Sequence, residues 1–169
     1  MTYYKDQREF LAELDKRGKL ARIMSPINKD TQLAPFVVLQ ERGLPSEKRM
    51  ALLFTNVFDS RGRHYSIPVV ANALPFLDVG FRCKRDEIPE KVAHAAMHPI
   101  EPRLVEKGPV QDVVYTGDTL LKAGGLDEFP VPISMPGYDA GPICSATYWV
   151  SKDVETGIRN VGLYRSQLY

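Results

Sequence analysis

The sequence predicts an α+β protein, with an α/β domain over residues 1–108 and a second, strand-rich domain over residues 109–169. Two observations carry this. Before residue 108, three helical stretches, the first with apolar residues at helical spacing, alternate with short β-rich runs. After it, strand-type runs surround a long Gly- and Pro-laden passage. The 169 residues, 44% hydrophobic and 25% charged, can bury one core or two small ones and do not have the composition of a disordered chain.

The first expected element is a helix over residues 6–17, where Phe10, Leu11 and Leu14 share one face and Gly18 supplies the stop. Residues 20–24 read as a short strand running into Pro26, and residues 32–42 as a second helix ended by Gly43. Residues 51–57 and 65–71 are β-rich runs joined by FDSRGRH, a polar connection suited to closing a hairpin. A third helix is expected over 89–97, and the Pro-rich IEPRLVEKGP marks a crossing between domains, placed near Gly108. Beyond it, residues 110–115, 143–151 and 158–168 are strand-type. Between the first two of these lies LKAGGLDEFPVPISMPGYDAGP, an excursion of the length that often serves function or covers something. The last two strands form a hairpin turning at DVETG, where Gly157 can take positive φ.

Several function classes drop out on composition. A net charge of +1 with scattered Lys and Arg gives no basic stripe, so neither nucleic acid nor an anionic membrane is an expected partner. Cys83 and Cys144 are far apart and outside any CxxC, which points to reduced thiols rather than a zinc site or a disulfide. The N-terminus lacks an apolar signal core and no apolar run is long enough to span a bilayer, so the expected location is the cytoplasm.

The segment RNVGLYRSQLY is unusual for a strand, because it carries Asn160, Gly162 and Arg165 where a purely structural strand would put more Val and Ile. Alternation groups Asn160, Gly162, Tyr164 and Ser166 on one face and Val161, Leu163, Arg165 and Gln167 on the other. For Asn160 and Arg165 to share one site, the alternation has to break between them, and Gly162 is the natural place for a bulge or a close backbone approach by a ligand. The plainer alternative is a half-buried strand whose Arg meets a surface carboxylate. Elsewhere, His94 and His98 sit at metal-binding i,i+4 spacing but lack a third ligand nearby, and read as polar-face residues. Asp127 and Glu128 are adjacent and diverge, which suits capping or surface roles, and Cys144 reads as packing.

The run RNVGLYRSQL, preceded by GDTLLKAGGLDEFPVPISMPGYDAGP and opened by a helix of the type DQREFLAELDKRGKLARI, resembles the amino-terminal portion of the UbiD family. These are reversible decarboxylases of aromatic and α,β-unsaturated acids that use prenylated FMN. The most specific part is the N-x-G-x-Y-R core. The resemblance implies that residues 109–169 begin a split β-barrel of flavin-reductase-like type. It implies Asn160 as a ligand of Mn2+, with K+ as an optional further ion, the metal bridging the cofactor phosphate. An amide oxygen is a hard ligand suited to such a cation. Leu163, Tyr164 and Arg165 would line the prenylated flavin, with Arg165 also facing the substrate carboxylate as the catalytic residue. By the same resemblance, Ser145 would occupy a cofactor-contacting position. A small carboxylic acid is the implied substrate, a flavin prenyltransferase the cofactor supplier, and a homo-oligomer the implied assembly. Enzymes of the family are roughly three times this length, and their remaining metal ligands and the Glu that donates the proton lie downstream of this motif. The chain by itself is therefore expected to be inactive. The alternative is a non-catalytic paralogue, subunit or excised domain with a structural or assembly role.

Overall fold

The computed structural model describes residues 3–101 and 103–168. Helix α1 (Gln7–Lys16) starts where the Asp6 carboxylate accepts the Arg8 and Glu9 amides, and it stops at Gly18, whose φ of +65° a side chain would strain. Strands β1 (Leu20–Ile23) and β2 (Ile27–Asn28) follow, then α2 (Leu33–Gly43). The expected strand 51–57 is two strands, β3 (Ala51–Phe54) and β4 (Val57–Phe58), because the chain changes sheets between them. There the Thr55 amide donates to the Ile23 carbonyl at 3.1 Å and the Asn56 carbonyl accepts from Ile27 at 3.0 Å.

The run 65–71 is likewise divided into β5 (His64–Tyr65) and β6 (Val69–Ala71), with Pro68, which has no N–H to offer a ladder, between them. The expected hairpin exists, but it joins β4 to β5 through Val57↔Tyr65 and Phe58↔His64 only. Three helices come next: α3 (Leu77–Phe81), α4 (Ile88–Met97) and α5 (Asp118–Ala123). Residues 110–115 are not a strand. Val110, Val113 and Val114 are all exposed with no ladder partner among the described residues, and β-propensity without a neighbouring strand does not make a sheet. The long excursion is broken up by α5 and a 3₁₀ turn (Gly125–Glu128) and leads into β7 (Ile143–Lys152) and β8 (Arg159–Gln167). Among the described residues the sheet orders are β1-β3-β6, β2-β4-β5 and β7-β8. All four residues of β3, the central strand of its sheet, are buried, which is why ALLF reads as an unbroken apolar run.

Two compact units are present. The first comprises Met1–Ala21, Met50–Leu52 and Val70–Glu128. Its buried residues include Leu14, Leu20, Ala51, Leu52, Phe76 and Val79. Tyr4 helps to tie α1 to α3, donating its phenol to the Val79 carbonyl at 3.1 Å and standing edge-on to Phe10. The second comprises Arg22–Arg49, Leu53–Val69 and Phe129–Tyr169. Ile27, Leu33, Leu53, Phe54 and Val57 are buried in it, with Phe36 edge-on to Phe54. Beside them lies a buried polar group: Asp59 accepts the Arg61 and Arg63 amides at 2.9 Å and the Tyr65 phenol at 3.1 Å. No described helix is long and apolar enough to cross a membrane.

Candidate functional site

Strands β7 and β8 pair antiparallel around a turn fixed by one carboxylate. Asp153 accepts the amides of Glu155 and Thr156 and the Thr156 hydroxyl, and these hydrogen bonds, the Thr156 amide foremost, hold its carboxyl below the usual range. Gly157 closes the turn at φ +73°. From there the ladder runs regularly from Lys152↔Arg159 through Ser151↔Asn160 and Trp149↔Gly162 to Thr147↔Tyr164. The expected break at Gly162 is absent. The register shifts instead between Cys144 and Thr147, so that Ser145 and Ala146 together oppose Arg165. The extra residue sits on the partner strand, where parity counted along β8 alone could not reveal it.

Trp149, Ser151, Asn160, Tyr164, Arg165 and Ser166 border an open hollow of ≈ 390 Å³. Five of the six lie on one face by register, since directly paired residues share a face. Arg165 is the exception by alternation, and it is the residue opposite the bulge. Across this face the Trp149 Nε1–H donates to the Ser166 Oγ at 3.1 Å. Gly162 has a different use from the one expected. A Cβ built there would stand 2.2 Å from Tyr164 Cε2 and 3.0 Å from its Cζ, so the missing side chain is the space in which the Tyr164 ring lies.

Of the residues singled out in the sequence, Asn160, Tyr164 and Arg165 are brought together. Leu163 pairs with Tyr148 on the opposite face, and Ser145 is in the bulge rather than on the border of the hollow. Trp149, Ser151 and Ser166 were missed. Turning the hairpin at DVETG pairs Ser151 with Asn160 and Trp149 with Gly162, so the register could have found the first two. The rings of His94 and His98 stack at 4.1 Å, and among the described residues no group of three or more His, Cys, Asp or Glu could hold a metal ion. Asp127 and Glu128 lie in a 3₁₀ turn, and Cys83 and Cys144 are half-buried and unbridged.

The border combines a guanidinium, an amide, two serine hydroxyls and two aromatic rings. Such a set can bind and orient a planar anion, and its oxygens are hard donors suited to a divalent cation. Among the described residues it contains no carboxylic acid and no imidazole.

Residues 103–169 match the UbiD family profile, described as the 3-octaprenyl-4-hydroxybenzoate carboxy-lyase Rift-related domain. Uncharacterized proteins of Aquifex aeolicus and Archaeoglobus fulgidus are 31% and 29% identical over 192 residues, covering 98% of this chain and 36% of each relative. Among solved structures, the UbiD-class enzyme HmfF from Pelotomaculum thermopropionicum in complex with FMN is 28% identical with a TM-score of 0.70, over 94% of this chain and 33% of that one. Its evolved dimeric form in complex with prFMN gives 26% and 0.69, over 94% and 34%. Vanillic acid decarboxylase of Sedimentibacter hydroxybenzoicus shares the fold at 24% identity, with a TM-score of 0.77 over 99% of this chain and 36% of that one. The chain spans about a third of the length of these relatives. The resemblance to an amino-terminal portion of the UbiD family and the α+β fold class are both borne out.

Proposed function

Proceeding from this UbiD likeness, we propose that the chain is the part of a reversible, non-oxidative decarboxylase of aromatic or α,β-unsaturated acids that grips prenylated FMN and its divalent metal. One observation carries the reading: Asn160, Tyr164 and Arg165 border a single hollow, in a fold whose 28%-identical neighbour is in complex with FMN. The residues present fit the group. Tyr164 and Trp149 offer ring faces to a flat heterocycle, Arg165 a paired donor to a carboxylate or phosphate, and Asn160 a neutral oxygen to Mn2+, or to K+.

The chemistry such a cofactor supplies when bound is an electron sink for the pair left behind as carbon dioxide departs. The chain's own part is positional. Arg165 orients the substrate carboxylate, Asn160 holds metal and phosphate, and Tyr164 shapes the flavin side, with Leu163 and Ser145 supporting it from the far face and the bulge. Residues 109–169 are then the first part of a split β-barrel after an α/β domain over 1–108. The setting is a cytoplasmic homo-oligomer supplied by a flavin prenyltransferase.

A second reading, a non-catalytic module, is favoured by a border that, among the described residues, carries no proton-donating carboxyl or imidazole. Trp149 is the chain's one tryptophan and stands in the site, so its emission separates the two. Saturable quenching by FMN, strengthened by Mn2+ and weakened in Asn160→Ala, is the result expected of the gripping reading. An emission that does not respond to FMN with Mn2+ overturns it in favour of the second.

A further inference from the structure

We infer that Trp149 sets the width of the hollow and that Ser166 is the residue positioning it. The inference rests on the reading of the hollow as a flavin site. Trp149 is paired directly with Gly162, so its cross-strand neighbour has no side chain against which an indole could pack. The place is taken by the Tyr164 ring, which lies over Gly162 so closely that even a methyl group there would collide with it. The indole extends along the hairpin instead, and its Nε1–H reaches the Ser166 hydroxyl at 3.1 Å, at a position beyond Tyr164 on β8. Trp149 and Tyr164 therefore lean past one another, each toward a backbone position other than its own partner's.

The consequence concerns recognition. Trp149 is the largest side chain on the border, and it is 53% exposed. A half-exposed side chain has several staggered wells open to it, and a single directional hydrogen bond is enough to favour one. With the bond made, the indole is a fixed flat wall beside the Asn160 amide and the Arg165 guanidinium. Flat rings then fit and stack, while a compact anion gains nothing from the wall. Trp149 is a specificity-determining residue on this account. Ser166 acts through it and is a positioning residue.

The test uses the full chain with Ser166→Ala, the hydroxyl-retaining Ser166→Thr and Trp149→Leu, each first checked for wild-type far-ultraviolet circular dichroism. In Ser166→Ala, Trp149 emission should move to the red and become more open to acrylamide quenching, and Ser166→Thr should restore both. FMN affinity, read from flavin fluorescence, should fall about fivefold in Ser166→Ala, the worth of one ordinary hydrogen bond, and return in Ser166→Thr. It should fall further in Trp149→Leu. Inorganic phosphate, competed against FMN, should keep its affinity in all three. If emission and quenching are unchanged in Ser166→Ala, the positioning role is overturned. If phosphate affinity falls in step with that for FMN, the width-setting role is overturned. If Ser166→Ala behaves as expected in emission but the wild-type chain does not bind FMN, the positioning of Trp149 stands and the flavin reading of the hollow fails.

Discussion

Asn160 and Arg165 border one hollow although an odd number of positions separates them along β8, a spacing that sends side chains of a regular strand to opposite faces. The irregularity that accompanies this is on β7, where Ser145 and Ala146 together oppose Arg165. Deleting Ala146 should restore one-to-one pairing, return Arg165 to the face of Leu163, and weaken, without abolishing, FMN quenching of Trp149. Ala146→Ser, which keeps the residue count, should leave the quenching in place. Equal binding by the deletion variant and the parent chain would show that the bulge does not place Arg165.

The two polar residues should fail differently. In a UbiD-class decarboxylase carrying this segment, Asn160→Ala should lower cofactor and metal content and make what remains more sensitive to a chelator. Arg165→Ala should keep the cofactor better and lower kcat/KM about 10- to 100-fold, the range expected for losing a charged hydrogen bond to substrate. Flavin absorbance, metal analysis and steady-state rates on the same preparations separate the two. Matching losses of cofactor in both variants would count against the division of labour.

The 169-residue chain supplied with prenylated FMN and Mn2+ should not turn over aromatic or unsaturated acids. Among the described residues, the border of the hollow carries no carboxylic acid that could return a proton to the carbon that loses carbon dioxide. Carbon dioxide release or substrate deuteration by the purified chain would contradict this.

How much of this was legible in the sequence depended on where each signal resides. The capped helix at Asp6 and the turn at DVETG are local, and each was read where it occurs. Val110, Val113 and Val114 were misread as a strand because β-propensity reports the side chain, while a strand also needs a partner. Pro68 and the Thr55–Asn56 step divided two runs that looked continuous, since the apolar pattern survives a change of sheet. At the site, the motif located Asn160, Tyr164 and Arg165. Alternation already set Ser166 on the face of Asn160 and Tyr164, whereas Trp149 and Ser151 border the hollow from the opposite strand, which the motif does not contain. Gly162 was rightly singled out for the wrong reason, because a glycine that admits a ring and a glycine that permits a bulge look alike in a sequence.

The hairpin should drive self-association. Val150 and Val161 are directly paired and are 65% and 59% exposed, and Tyr148, Ile158 and Leu163 beside them are exposed as well. A two-stranded ribbon with apolar side chains facing water and no third strand on either edge among the described residues is a template for pairing. Light scattering should show mass rising with concentration, and Val150→Thr with Val161→Thr should reduce it without loss of strand content. A monomeric chain at all concentrations would contradict the expectation.

The Tyr65–Asp59 pair gives stability a particular alkaline limit. Asp59 is only 8% exposed and has three hydrogen-bond donors on its two oxygens: the Arg61 and Arg63 amides on one and the Tyr65 phenol on the other. Burial works to raise the Asp59 carboxyl, but the Arg63 amide, the phenol, the Arg61 amide and Lys29 outweigh it and hold the group below the usual range. Its contribution is therefore present above the unfolded value of about 4 and fades as the pH falls. Tyr65 moves the other way. Burial first, and then the hydrogen bond and charge of Asp59, push its phenol up to about 12. A folded value above the unfolded value of about 10 gives stability that is complete below pH ~10 and lost as the pH rises through the folded value. Tyr65→Phe should thus cost about 1.5–3 kcal/mol near neutral pH, the worth of a hydrogen bond to a carboxylate, and make the loss of stability above pH 10 shallower than in the parent chain. Urea unfolding of both proteins from neutral to strongly alkaline pH measures this. Comparing the two proteins isolates Tyr65, so curves that stay parallel to the alkaline end would show that Tyr65 does not hold its proton through Asp59.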